Sequence, residues 1–221
     1  MGQEILTVDQ KAVLDLVGKN SYISENFYLT GGTALAEYYL KHRYSDDLDF
    51  FTERGDVDNL VLNIFVNEVK TKLKFASVEY RKIHDRRIFF FKKNSNELKV
   101  EFTAYPYPKL QTRKKAGQVN IDSLYDISVN KLTALIDRIE VKDFTDLYFV
   151  LNEENLKLEN LLLGVKEKFG LKYDPLTLGG EFAKVRTFND LPRMIKPLTL
   201  DVLKDFYSDL AKSLREKILR S

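Results

Sequence analysis

A change of hydrophobic period constrains this chain more than any other feature. From Ser77 the segment "SVEYRKI" alternates, "HDR" turns, and "RIFFFKK" and "ELKVEFTAY" follow as further strands. From Ser123 onward the spacing is helical almost throughout, in "LYDISVNKLTALIDRI", "KDFTDLYFVL", "NLKLENLLLGVKEKFG" and "LDVLKDFYSDLAKSLREKIL". Upstream, Val13, Leu14, Leu16 and Val17 predict an opening helix. "FYLTGG" reads as a short buried strand ending in a glycine turn, and "DDLDFFT" as a second strand. Thr33 is placed to cap a helix from Ala34 to about Lys41. Asp56 or Asp58 is placed to cap another, in which Leu60, Ile64, Val66, Val69 and Leu73 recur along one side. "PYPKLQTRKKAGQ" reads as a loop from its Pro, Gly and charge content. The expected fold class is α+β: a mixed β-sheet flanked by helices over residues 1–120, then a helical module over residues 121–221.

Composition removes several function classes. The chain has no cysteine, which excludes disulfides, thiolate metal sites and Cys nucleophiles, and only His42 and His84 as imidazoles, too few for a His-rich zinc site. The N-terminus lacks a signal-peptide pattern, and no apolar run approaches the ~18 residues a membrane span needs, so the expected location is cytoplasmic. Net charge is only +2, but nine Lys/Arg stand against two acids between Lys70 and Lys93, and four bases against none from Phe102 to Ile121. Such a flank suits a polyanion, nucleic acid or nucleotide phosphate; a solvated strand face is the alternative.

The run "GGTALAEYYLKHRYSDDLD" places a glycine turn and an Asp-x-Asp pair in one supersecondary unit. In a strand, residues i and i+2 share a face, so Asp47 and Asp49 point one way while Leu48 and Phe50 enter the core and Asp46 faces the opposite side. Two adjacent carboxylates repel unless a cation lies between them, and oxygen donors without imidazole or thiolate favour Mg²⁺. Glu101, between Val100 and Phe102, supplies a third strand carboxylate; an exposed strand face is its other reading. Gly31, Gly32 and Thr33 offer free backbone N–H groups at a helix start, suited to phosphate oxygens. No Gly-Lys-Ser/Thr follows, and the third glycine of a dinucleotide fingerprint is absent. What remains is phosphate binding beside divalent metal, the requirement of phosphoryl or nucleotidyl transfer with two Mg²⁺ ions. In the helical half, Lys131 and Arg138 share a face, as do Asp143 and Asp146. Lys131 could neutralise β/γ-phosphate charge with either acid orienting it or Arg138, or the four could form a salt-bridged helix pair.

Three segments in order, "GGTALAEYYLKHRYSDDLDFF", "KVEF" and "NKLTALIDRIEVKDFTDLYFVL", resemble the AbiEii/AbiGii-type toxin nucleotidyltransferases of the polymerase-β-like superfamily, over roughly residues 27 to 151. The resemblance implies a nucleotidyltransferase-like sheet with a helical module contributing to the active-site cleft. It makes Gly32 and Thr33 the nucleotide-binding turn, Asp47 and Asp49 the metal pair and Glu101 the third carboxylate. Lys131 becomes the phosphate-contacting lysine and Asp146 the acid of the later motif. Thr33 stands where the superfamily often has Ser, and Glu101 where Asp is common, a longer arm at the metal. The implied activity moves NMP from an NTP to a hydroxyl acceptor such as a tRNA 3′ end, as a toxin with a cognate antitoxin protein. A non-catalytic nucleotide- or RNA-binding relative and an enzyme acting on a small hydroxyl-bearing antibiotic are the alternatives.

Overall fold

The computed structural model describes residues 4–154 and 156–219. Helix α1 (Val8–Lys19) starts from a reciprocal cap in which the Thr7 hydroxyl accepts from the Gln10 backbone and the Gln10 side chain accepts from that of Thr7. After α2 (Ser21–Asn26), strand β1 (Tyr28–Thr30) runs into α3 (Gly31–Leu35), which widens into a π-helical turn over Ala36–Leu40. Strand β2 (Leu48–Thr52) follows, then α4 (Asn59–Lys72), whose first N–H groups, those of Leu60 and Val61, donate to the Asp58 carboxylate. Strands β3 (Ser77–Ile83), β4 (Arg86–Lys93) and β5 (Asn96–Ala104) form an antiparallel meander. Its turns place His84 and Asn94 at positive φ (50° and 54°).

Residues 106–118, expected as loop, contain β6 (Lys114–Ala116), which pairs with β7 (Val119–Ile121). Gly117, at φ +58°, makes that tight hairpin possible where charge content alone argued against a strand. The seven strands lie in the order β3-β4-β5-β2-β1-β7-β6, with β2 central, antiparallel to β1 and parallel to β5. Period-two patterning governs this centre. Leu48 and Phe50 are fully buried, and Phe50 stacks on Phe102 of β5 with centroids 5.2 Å apart. Phe27, Phe65 and Phe89 meet the same ring edge-on. The opposite face carries Asp49 and Phe51 of β2 and the polar residues Lys99, Glu101 and Thr103 of β5.

Helices α5 (Leu124–Asp137), α6 (Val141–Glu153), α7 (Leu158–Phe169), α8 (Pro175–Ala183) and α9 (Leu200–Leu219) follow. Asp174 caps α8, with Pro175 at its first position. Tyr207 of α9 is fully buried against Phe144 and Phe182, its hydroxyl donating to the Phe144 carbonyl at 2.8 Å.

The chain divides into two compact units. One holds the residues up to Tyr39 together with Ser45–Ser123, and thus the sheet; the other holds Leu40–Tyr44 together with the residues from Leu124 onward. Within the second, Leu40–Tyr44 zips onto the 193–195 segment: Tyr44 N–H donates to the Arg193 carbonyl at 2.9 Å, and Ile195 N–H to that of His42 at 2.8 Å. Among the described residues, no helix is long and apolar enough to cross a membrane.

Candidate active site

The glycine turn and the Asp pair meet directly. Gly31 has φ +72°, a conformation L side chains rarely adopt. A Cβ added there would fall 2.5 Å from Asp49 Oδ2, so the Asp49 carboxylate lies against the bare Cα. Thr33 departs from its expected role. The helix begins at Gly31, so Thr30 takes the cap position with no side-chain cap hydrogen bond, and Thr33 lies inside the first turn. Its buried hydroxyl donates instead to the backbone carbonyl of Asp47. Gly32 is buried within the same turn. The physical reason is Gly31 itself: positive φ lets the chain turn into helix three residues earlier than a Thr33 cap would require.

The parallel register of β2 and β5 sets Leu48 beside Val100 and Asp49 beside Glu101. Glu101 is 2% exposed, which excludes the exposed-face reading, and Asp46 is exposed. Two residues before Glu101, on the same face, stands Lys99. Its ammonium lies 2.8 Å from Asp47 Oδ2, 3.6 Å from Glu101 Oε2 and 4.0 Å from Asp49 Oδ1. Glu101 is also gripped from β4: Arg86 Nε and Nη2 donate to its two oxygens at 2.6 Å each, and the Thr103 hydroxyl adds a bond at 2.7 Å. Burial pushes the Glu101 carboxyl up, but the hydrogen bonds from Arg86 and Thr103 with the Lys99 charge outweigh it and hold the group below its ordinary value. Lys99 pays a desolvation penalty too, and Asp49, Asp47 and Glu101 more than offset it, leaving its pKa raised.

Three carboxylates of hard-oxygen chemistry thus converge on one cationic position, here filled by an ammonium. As a donor set they fit a divalent cation such as Mg²⁺. Among the described residues no three acids are drawn close enough to hold a metal as they stand. Lys99 and Arg86 were absent from the sequence reading. The signal for Lys99 was present, since the period two that pairs Asp47 with Asp49 also pairs Lys99 with Glu101. The signal for Arg86 was not, because it needs the β4–β5 register.

The helical unit holds a second cluster. Lys131 of α5, 6% exposed, places its ammonium 2.7 Å from Asp143 and 2.6 Å from Asp146, one turn apart on α6. Arg43 grips both oxygens of Asp146 at 2.6 and 2.8 Å, and His42 Nε2 meets Oδ1 at 2.7 Å. Arg138 donates to Asp143 at 2.8 and 3.3 Å. Both acids are fully buried. Burial raises the Asp146 carboxyl, but Arg43, Lys131 and His42 overcome that and hold it well below the usual range. Burial lowers His42, which is therefore neutral, donates from Nε2, and leaves Nδ1 without a hydrogen-bond partner among the described residues. The salt-bridged helix pair is realised, with His42 and Arg43 as members the sequence did not suggest.

A seven-stranded mixed sheet with an Asp-x-Asp central strand beside a second acidic strand, followed by a helical unit, defines the class: a nucleotidyltransferase fold. The family model described as nucleotidyl transferase AbiEii toxin, type IV toxin–antitoxin system, matches residues 15–217, and the chain belongs to that family of nucleotidyltransferases. An uncharacterised protein of Aquifex aeolicus (strain VF5) is 33% identical over 150 residues, covering 66% of this chain and 68% of the relative. Among solved structures, JHP933 from Helicobacter pylori superposes with a TM-score of 0.58 at 21% identity, over 95% of this chain and 92% of that one. A second H. pylori structure gives 0.58 at 20% identity over 95% of each chain. At that identity the likeness shows the fold, in agreement with the expected α+β class.

Proposed function

We propose that this nucleotidyltransferase transfers NMP from an NTP to a hydroxyl acceptor in a Mg²⁺-dependent reaction, with an RNA, the 3′ end of tRNA, as acceptor. The observation that carries the reading is the convergence of Asp47, Asp49 and Glu101 on one cation position, with the Gly31 turn against Asp49. Asp47, Asp49 and Glu101 would hold the metal. When bound, it neutralises triphosphate charge and activates the attacking hydroxyl. The turn Gly31-Gly32-Thr33 presents backbone to the phosphates, and Thr33 fixes the Asp47 main chain. Lys131 and Arg138 would supply positive charge for the β/γ-phosphates only by exchanging their ion pairs with Asp143 and Asp146 for the nucleotide. Asp146 orients the Lys131 ammonium, as does Asp143. The bond formed joins the acceptor oxygen to the α-phosphorus; the bond broken releases pyrophosphate.

The RNA acceptor draws limited support from the basic run of residues 70–93. Five of its nine bases, Lys72, Arg81, Arg86, Lys92 and Lys93, are engaged in ion pairs with acids of the same unit. A cytoplasmic location and a cognate antitoxin protein complete the proposal, the latter resting on the family's toxin–antitoxin assignment.

The test is label transfer from each of the four radiolabelled NTPs to total tRNA, to protein and to hydroxyl-bearing small molecules, with Mg²⁺ and then EDTA. Transfer to tRNA, abolished by EDTA and reduced at least ~10³-fold in Asp49→Ala, is the expected result. A folded Asp49→Ala protein with full transfer activity would overturn the site.

A further inference from the structure

The side chain at the centre of the acid cluster belongs to neither the metal set nor the phosphate set. Lys99 puts one ammonium within 4.0 Å of all three carboxylates. Asp47, Asp49 and Glu101 carry three negative charges; Arg86 and Lys99 return two, leaving the group at −1. Three carboxylates gathered on one partly buried sheet face repel one another, so a positive charge between them is a condition of their arrangement.

A divalent cation would need the same point. Mg²⁺ draws carboxylate oxygens to about 2.0–2.1 Å, whereas the ammonium holds Asp47 Oδ2 at 2.8 Å and the other two acids farther off. The two cations cannot share the centre. Arg86 is poorly placed to yield, since its planar fork is locked onto both oxygens of Glu101. Lys99 is well placed to yield: its ammonium is a point charge on a flexible four-carbon stem, and its side chain is 22% exposed, with solvent on one side. Replacing +1 by +2 at the centre brings the formal charge of the three acids and Arg86 to zero.

We propose that Lys99 is the resident counter-ion of this cluster, holding Asp47, Asp49 and Glu101 together until a divalent cation displaces it. The inference rests on the metal reading given above and extends it: metal entry is an exchange of one cation for another, and Lys99 sets its equilibrium. Two consequences follow that do not depend on turnover. Removing the ammonium strengthens metal binding, and metal binding releases the Lys99 amine to solvent.

Mn²⁺ binding, measured by calorimetry on the full chain, compares wild type, Lys99→Met, which keeps the length of the stem without its charge, and Asp49→Ala. Removing the ammonium that competes with the metal for the carboxylates, a unit-charge contact at 2.8 Å under water-like screening, predicts binding tighter by roughly tenfold in Lys99→Met, and loss of binding in Asp49→Ala. Should Asp49→Ala lose Mn²⁺ while Lys99→Met binds no tighter than wild type, the metal site stands and the exchange is refuted. Equal binding by wild type and Asp49→Ala, or none by any variant, refutes the metal site and the exchange with it. In wild type, independent of how the variants fold, limited acetylation of lysines is read by mass spectrometry with and without Mg²⁺. Acetylation of Lys99 relative to exposed Lys74 rises several-fold with Mg²⁺ if the amine is released; an unchanged or lower ratio overturns the proposal.

Discussion

Asp146 is the junction of the helical unit's buried charge, and its removal has a calculable cost. Asp146→Asn keeps shape and deletes one charge facing the Arg43 fork, the Lys131 ammonium and the His42 N–H. Breaking a buried pair by neutralising one partner typically costs about 3–5 kcal/mol, because the remaining charges stay desolvated. Lys131 keeps Asp143 at 2.7 Å and Arg43 keeps the Tyr44 carbonyl at 2.8 Å, so the cost falls near the lower end, about 3 kcal/mol. Asp143→Asn is the control. Its second partner, Arg138, has a side chain 45% exposed and returns to water, which limits the loss to roughly 1–2 kcal/mol. The chain has no tryptophan, so urea unfolding is followed by far-ultraviolet circular dichroism. With a slope of ~2 kcal/mol per molar urea, the midpoint drops by roughly 1.5 M for Asp146→Asn and about half that for Asp143→Asn. The Asp146 carboxyl is held well below its ordinary value of 3.8. Its contribution is therefore complete above that pH and lost as pH falls toward the folded-state value, so Asp146→Asn also flattens the acid limb of stability. An Asp143→Asn loss equal to or larger than that of Asp146→Asn would refute this assignment of the junction.

Two further outcomes follow from backbone and burial. Gly31→Ala and Gly117→Ala both place a side chain at positive φ, but only at position 31 does the new Cβ meet a neighbour, Asp49 at 2.5 Å, with nothing within 4 Å at position 117. Gly117→Ala should cost about 1 kcal/mol of backbone strain, while Gly31→Ala costs more and weakens Mn²⁺ binding; equal melting temperatures would remove the close approach from consideration. Burial holds the His42 pKa below 6.5, so as pH falls through 6.5 the unfolded chain takes up a proton that the folded chain refuses. Stability declines over that range, and the His42 ring resonance, assigned by its persistence in His84→Asn, stays in its neutral position there. A resonance that titrates at 6.5 would contradict the buried neutral imidazole.

Local periodicity carried much of this reading. Alternation alone sent Leu48 and Phe50 inward and set Asp47 and Asp49 on the other side, and it marked Glu101 as an acid needing a reason. Apart from the period that sets Lys99 on the face of Glu101, what escaped was information carried by non-local register. Arg86 reaches Glu101 because β4 and β5 pair with Arg86 opposite Thr103. Lys99 became a partner of Asp47 only through the parallel β2–β5 alignment, 52 residues apart in sequence. Thr33 failed as a cap because capping rules assume ordinary φ before the first turn, and Gly31 does not have it. His42 and Arg43 lie in a stretch with no helical or strand period. Their membership in the helical unit depends on Asp146, more than 100 residues later.

That five-residue excursion makes the two units inseparable as gene fragments. The polypeptide leaves the sheet unit at Tyr39, contributes Leu40–Tyr44 to the helical one, and returns at Ser45 before passing over finally at Leu124. A fragment ending at Ser123 would carry the His42 imidazole and the Arg43 guanidinium without the acid they are built around. One beginning at Leu124 would bury Asp146 with one of its cations missing. Split versions of this protein must therefore supply residues 40–44 together with the helical unit, and a cut in that peptide would sever the turn from the Asp pair that it precedes.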